Sequence, residues 1–196
     1  MSRKILRVAV VIATLLSFGT AVRAQSTELK LNVASLAVSI VNPSLELPIG
    51  SRNSITWDYV GAYAEESFMG TGYPFMFSMN TWGFRRYSDE QGSRMGFFYG
   101  TEFTVNQYRM NKNIVPLVAN DHAVDSYDMG HGIIIGFTAG YKYPLTERLN
   151  LEASLAAGWQ HSRHEGYSAD GVRVFDFNIT AEWLPYRAGI SLCYRL

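Results

Sequence analysis

Every second residue from Leu149 to Trp159 is apolar: Leu149, Leu151, Ala153, Leu155, Ala157 and Trp159. Asn150, Glu152, Ser154, Ala156, Gly158 and Gln160 occupy the alternate positions. A period of two predicts a long strand with one greasy face and one small or polar face. The same alternation recurs over Leu29–Leu36, Ser44–Ile49, Ser54–Tyr63, Pro74–Tyr87, Gly96–Tyr108, Gly132–Tyr143 and Arg187–Leu196. Pro74–Tyr87 is the least regular of these, with Phe84 beside Arg85 as its clearest pair. The pattern predicts an all-β chain, an eight-stranded antiparallel up-and-down transmembrane barrel.

The connections alternate in length. Ile49–Asn53, Ser88–Ser93 and Pro144–Arg148 are short and hold turn residues such as Gly50, Asp89 and Gly92. Ala64–Tyr73, Arg109–Gly130 and His161–Tyr186 are long, while the link around Val41-Asn42-Pro43 reads as tight. Short turns at one end and long loops at the other are the mark of an outer-membrane barrel, with the long loops outside the cell. Val172–Trp183 is compatible with the wall of the last hairpin or with an excursion above it. Pro185 is expected to bend the chain before the final strand, since proline fits poorly inside a paired strand.

An export signal precedes the strands. Arg3, Lys4 and Arg7 form a charged start, Val8–Phe18 an apolar stretch, and Val22-Arg23-Ala24 a small-residue cleavage site. Residues 1–24 are expected to be removed, leaving 25–196 as one barrel domain. The apolar stretch falls short of the ~20 residues that a spanning helix needs.

Composition sharpens the picture. Charged residues make up 17% of the chain, against about 25% in ordinary soluble domains. Aromatics make up 14%, with 12 Tyr and 11 Phe. Formal net charge is zero, which argues against a nucleic-acid partner. The lone Cys193 leaves no internal disulfide, and its parity on the last strand reads as a small interior filler.

Alternation alone does not say which face is inside. An eight-stranded barrel has an interior just wide enough for side chains. The apolar face carries Trp57, Tyr59, Phe97, Tyr99, Phe103, Phe137, Tyr141 and Trp159 among others, too much bulk for that lumen. It suits a lipid-facing band with aromatic girdles. The other face then points inward with Lys30, Arg85, Lys142, Arg187 and Arg195 against Glu46, Asp58, Glu102 and Glu152. These near-balanced charges predict a plugged, salt-bridged interior with no conducting pore.

Chemistry is sparse. His161-Ser162-Arg163-His164-Glu165 holds the residue types of a rim-mounted lipid hydrolase. His161 and Ser162 are adjacent, however, so on a strand they face opposite ways. His122 and His131 read as exposed surface near the longest loop. Asp121, Asp125 and Asp128 lack the glycine and terminal Glu of a calcium loop. No catalytic residue, metal set or cofactor motif is assigned.

Lys30-Leu31-Asn32, Asn42-Pro43-Ser44-Leu45-Glu46-Leu47 and Ser54-Ile55-Thr56 resemble the opening strands of the DUF3575 family. Gly83-Phe84-Arg85-Arg86-Tyr87 is similar to its Glu-Leu-Arg-Tyr-Trp strand, with Gly83 in place of the Glu. Arg148-Leu149-Asn150-Leu151-Glu152 is similar to its Arg-Trp-Asn-Leu-Glu segment, with Leu149 in place of the Trp. Tyr186–Leu196 resembles the closing strand, although a terminal aromatic is replaced by Leu196. The resemblance implies an outer-membrane barrel of Gram-negative Bacteroidetes. Its implied partners are outer-membrane lipid, the barrel-insertion machinery and a surface-fibre (fimbria) component met by the outer loops. The expected function is therefore non-enzymatic, structural or surface-interacting. The rivals are a lipid-modifying hydrolase and a secreted soluble ligand-binding barrel.

Overall fold

The computed structural model describes residues 27–64, 75–89, 93–111, 126–168 and 170–196. Within them lie β1 (Glu28–Asn32), β2 (Pro43–Ile49), β3 (Asn53–Ala64), β4 (Phe75–Tyr87), β5 (Gly96–Met110), β6 (Ser126–Pro144), β7 (Leu149–Ser168) and β8 (Arg173–Arg195). One helical turn, α1 (Val33–Leu36), follows β1. Each strand pairs antiparallel with its successor, and β1 returns to β8, so the sheet closes into a ring of eight. Leu29 opposite Tyr194 and Lys30 opposite Cys193 seal the ring. The expected export segment, residues 1–24, lies outside the described residues.

Burial runs opposite to that of an ordinary soluble protein. Phe137 is 61% exposed and Trp183 68%, whereas Arg85 and Lys142 are each 1% exposed. Outward apolar residues and inward polar ones alternate along β3 and β5, so Thr56, Asp58, Glu102, Thr104 and Asn106 are all buried. The aromatic face is thus the outer face, as the volume argument predicts. β4 explains its own irregular sequence. Its inward positions change from Arg85 and Tyr87 at one end to Met79 and Phe75 at the other, so its far half is apolar inside while Ser78 and Asn80 share the outer face with Met76.

Several boundaries differ from the sequence reading. β1 stops at Asn32 rather than Leu36, because Asn32 caps α1: its side chain accepts a hydrogen bond from the Ser35 backbone N–H. The first link therefore runs through α1 to Asn42 and is not tight. β6 starts at Ser126, which puts Asp128 and His131 on a strand rather than in a loop. Asp128 is buried and His131 exposed, as its surface reading predicts. Asp121, His122 and Asp125 lie outside the described residues, as does nearly all of the Ala64–Tyr73 loop.

The largest correction concerns His161–Tyr186. It is not a long loop: β7 continues to Ser168 and β8 begins at Arg173. A turn joins them, with Gly171 at φ +82° and its N–H donating to the Ser168 carbonyl at 2.9 Å. Val172 lies in this turn and the rest of Val172–Trp183 belongs to the wall. Pro185 sits within β8 and does not precede it. Ala156 pairs with Arg187 and Ala157 with Pro185, so Tyr186 is an extra residue in a β-bulge. The bulge accommodates the proline and reverses the inward parity of β8. Below it, Arg187 and Cys193 face inward; above it, Leu184, Glu182 and Thr180 do. A second irregularity at His164–Tyr167 shifts the register again. These two shifts hide the strand from a search for strict alternation.

Candidate functional site

Most of the inward charges gather into two clusters. The first lies toward the short-turn end and holds Lys30, Arg85 and Lys142 against Glu28, Glu46 and Glu152, all buried. Lys142 Nζ lies 2.7 Å from Glu28 Oε2 and 3.1 Å from Glu46 Oε2. Lys30 Nζ contacts Glu46 and lies 2.6 Å from Glu152 Oε2. Arg85 Nη1 lies 2.8 Å from Glu152 Oε1. Tyr87 donates its hydroxyl to Glu46 Oε1 at 2.7 Å, and Asn150 donates to Glu28 Oε1 at 3.1 Å. The cations also sit on rings: the Arg85 guanidinium is 4.6 Å from the centre of Phe98, and Lys142 Nζ is 4.9 Å from that of Tyr87. Arg195 stands at the rim, its side chain 31% exposed and 3.8 Å from Glu28.

The second cluster centres on Arg187. Its Nη1 lies 2.8 Å from Asp58 Oδ1 and its Nη2 contacts Glu102 Oε1. Tyr186 donates to Glu102 Oε2 at 2.8 Å, and Ser44 donates to Asp58. Gly136 makes this possible, since a Cβ there would lie 2.6 Å from the Tyr186 hydroxyl. All nine charged residues expected to face the interior therefore do so. Glu28 is the member of these clusters that the sequence did not suggest, although it shares the parity of Lys30 two positions on. With it, the two clusters and the rim hold five basic and five acidic groups. Tyr87 was also legible, from its parity with Arg85. Tyr186 was not, because the bulge places it on the inner face against the local alternation.

Buried charges are costly unless paired and hydrogen-bonded. Each carboxylate here meets a cation together with a further cation or a hydrogen-bond donor, and each buried cation meets at least two carboxylates. The arrangement is that of an electrostatic brace across the lumen. Cys193 is buried beside this network as a free thiol, in the filler position its parity predicts.

The hydrolase constellation is dispersed. His161 points outward and stacks on Trp159 with ring centroids 5.7 Å apart, whereas Ser162 and His164 are buried on the inner face. Ser162 instead hydrogen-bonds the Tyr108 hydroxyl. Among the described residues no group of three or more His, Cys, Asp or Glu side chains could hold a metal ion.

The β7–β8 tip carries a separate polar patch. Tyr167 donates to Glu165 Oε2 at 2.6 Å, which pushes its phenol pKa up, and Arg173 lies 3.3 Å from Glu165 Oε1. The Ser168 hydroxyl donates to Asp170 and holds that carboxyl below its ordinary pKa. Tyr127 stacks on Tyr167 at 5.5 Å, and the Arg109 guanidinium lies 4.6 Å from the Tyr127 ring centre.

No curated protein and no solved structure matches this chain. A family model described as a protein of unknown function (DUF3575) matches residues 10–196, nearly the whole length. On that match, the chain belongs to the DUF3575 family.

Proposed function

We propose that this chain is a non-enzymatic β-barrel of the Gram-negative outer membrane, as in Bacteroidetes, delivered by a cleaved signal at residues 1–24. Its role is structural and surface-interacting, carried by the connections at its long-loop end. The observation that carries this reading is the inverted burial. Phe97, Tyr99, Phe103, Ile135, Phe137 and Tyr141 are each 44–61% exposed on the outside of a ring whose interior is charged. Soluble monomers rarely expose contiguous apolar patches larger than a few hundred Å², whereas a lipid-facing band requires one. Where β1 pairs with β8, from Ser191 to Arg195, the ring also satisfies backbone groups between strands, as the bilayer demands. No helix among the described residues is long and apolar enough to span, so the strands would do the crossing. β6, β7 and β8 have 19, 20 and 23 residues, about twice the 9–11 that a tilted strand needs to cross. Their surplus forms a rigid hairpin stalk beyond the lipid, topped by the Tyr127–Tyr167 patch. That stalk is suited to meeting a surface partner, a fibre component among them. The braced lumen argues against conduction.

Topology tests this reading. Single cysteines at Asp170 in the β7–β8 turn and at Glu147 in the β6–β7 turn, in a Cys193→Ala background, are treated with a membrane-impermeant maleimide on intact cells. Labelling at 170 with protection at 147 is the expected result. Labelling at 147 with protection at 170 would reverse the orientation and remove the surface role.

A further inference from the structure

Beyond the Arg187 cluster the lumen changes character. A cavity of about 240 Å³ opens among β4 to β8. Its walls are mainly apolar: Met79, Ile134 and Leu184, with the rings of Phe77 and Tyr108. Met79 and Ile134 are 1% exposed at its floor, whereas Phe77, Gln160, Glu182 and Leu184 are half-buried. The polar groups facing it include the neutral Asn106, Gln160, Ser162 and Thr180 and one acid, Glu182. No Lys, Arg or His lines it among the described residues.

Two features give the cavity a chemical preference. Asn106 is 3% exposed, and its carbonyl Oδ1 has no hydrogen-bond partner among the described residues. A buried orphan acceptor of this kind costs free energy until a donor reaches it. The Glu182 carboxylate adds a second acceptor and a negative charge that disfavours anions. The site therefore combines an apolar body with an end that asks for donors, the common form of a small-molecule site. The wall is least complete beside β8 among the described residues. That strand pairs with β7 along its length but with β1 only from Ser191 to Arg195. Its other edge, next to Leu184 and Glu182, has no strand partner among the described residues.

We propose that this cavity binds a small amphipathic molecule with a hydrocarbon or aromatic body and a hydrogen-bond-donating head, an amine or alcohol in preference to a carboxylate. An apolar cavity of about 150 Å³ holds benzene, so the body here is on the order of ten carbons. Such a body can come from a membrane lipid chain or from a free amphiphile. The site lies in the lumen and goes beyond the loop role proposed above.

The test uses the purified barrel in phosphatidylcholine nanodiscs and the fluorescent probe aminoanthracene, with empty nanodiscs as the blank. Saturable binding of about one probe per barrel is expected, displaced by decylamine and decanol and about tenfold less effectively by decanoate. Leu184→Trp, which fills the cavity, should weaken the probe about tenfold or more. Glu182→Gln leaves the volume unchanged, and it should abolish the discrimination against decanoate, which keeps the test open if Leu184→Trp fails to fold. Mass spectrometry of an organic extract of the barrel from its own membrane then separates the sources. A stoichiometric lipid or a stoichiometric free amphiphile would each uphold the site and assign its occupant. A probe signal no greater than the blank, or displacement by decanoate as strong as by decylamine, would overturn the proposal.

Discussion

Lys30 and Glu152 lie 122 positions apart in the chain, and the Lys30 ammonium donates to Glu152 Oε2 at 2.6 Å. They stand on β1 and β7, which are not neighbours; β8 runs between them. The contact spans the inside of the seam where the first strand meets the last. It therefore forms only when the ring has closed, and it ties closure to the balance of charge in the lumen.

Breaking this pair on one side should cost far more than an exposed ion pair would. Lys30→Met and Glu152→Gln are each expected to destabilise the folded barrel by about 3–5 kcal/mol, because each leaves buried charge without its partner. The double variant should lose less than the sum, with a coupling energy of roughly 1–3 kcal/mol. Urea unfolding in lipid vesicles, followed by tryptophan fluorescence, measures all three. Strict additivity would show that the two groups do not depend on one another.

Gly136 of β6 and Tyr186 of β8 meet on the inner face across β7. An added Cβ at Gly136 would sit within 2.6 Å of the Tyr186 hydroxyl and 2.9 Å of the Ala157 carbonyl. Gly136→Ala should displace the ring and break its hydrogen bond to Glu102, at a cost of about 1–3 kcal/mol. Tyr186→Phe keeps the ring and loses only the hydroxyl. In the Gly136→Ala background it should add little further loss, because the hydroxyl has already lost its partner. An equal loss from Tyr186→Phe in both backgrounds would mean that Gly136 does not serve Tyr186.

The outer face answers a different question. Ile135 is 56% exposed on the outer side of β6. If that face meets lipid, Ile135→Arg should cost about 2–4 kcal/mol in vesicle unfolding, the penalty for a cation near the bilayer midplane. If the face met water, the same change would cost next to nothing. The two values lie far enough apart for one variant to decide.

The β7–β8 turn carries a pH signature. Asp170 titrates below its ordinary value because Ser168 donates to its ionised form. Its folded pKa is the lower one, so the turn gains from ionisation above the unfolded pKa and loses that gain as pH falls through the folded one. Ser168→Ala should move the Asp170 pKa up toward an ordinary carboxylate. A pH titration of the Asp170 side-chain carbon resonance checks this, and an unchanged midpoint would show that the hydroxyl does not hold the carboxyl.

Much of this barrel was legible in the alternation of β3, β5, β6 and the first half of β7, where most polar positions face inward and most apolar ones outward, with Phe98 and Ile134 as buried exceptions. The inner charges followed from the same parity, which puts Lys30, Glu46 and Glu152 on the inward face. What the alternation concealed has identifiable causes. Asn32 ends β1 by capping a helical turn, and a cap competes with a strand at the same residues. The Tyr186 bulge inverts parity halfway up β8, so Arg187 and Leu184 both face inward although three positions apart. The apolar cavity reverses the contrast between faces in the far half of β4, since Phe77 and Met79 line it while Ser78 and Asn80 face out beside Met76. The open edge of β8 could not be read from any one strand, because it depends on how short β1 is.

The most direct measurement is fractionation of expressing cells, followed by gel electrophoresis of the membrane fraction with and without boiling. Recovery in the outer membrane, with an unboiled band that migrates apart from the boiled one, is the predicted result for a closed barrel in lipid. Recovery as a detergent-free, monodisperse protein in the periplasmic or secreted fraction would contradict it. The aromatic outer face would then need a protein or ligand cover in place of the bilayer.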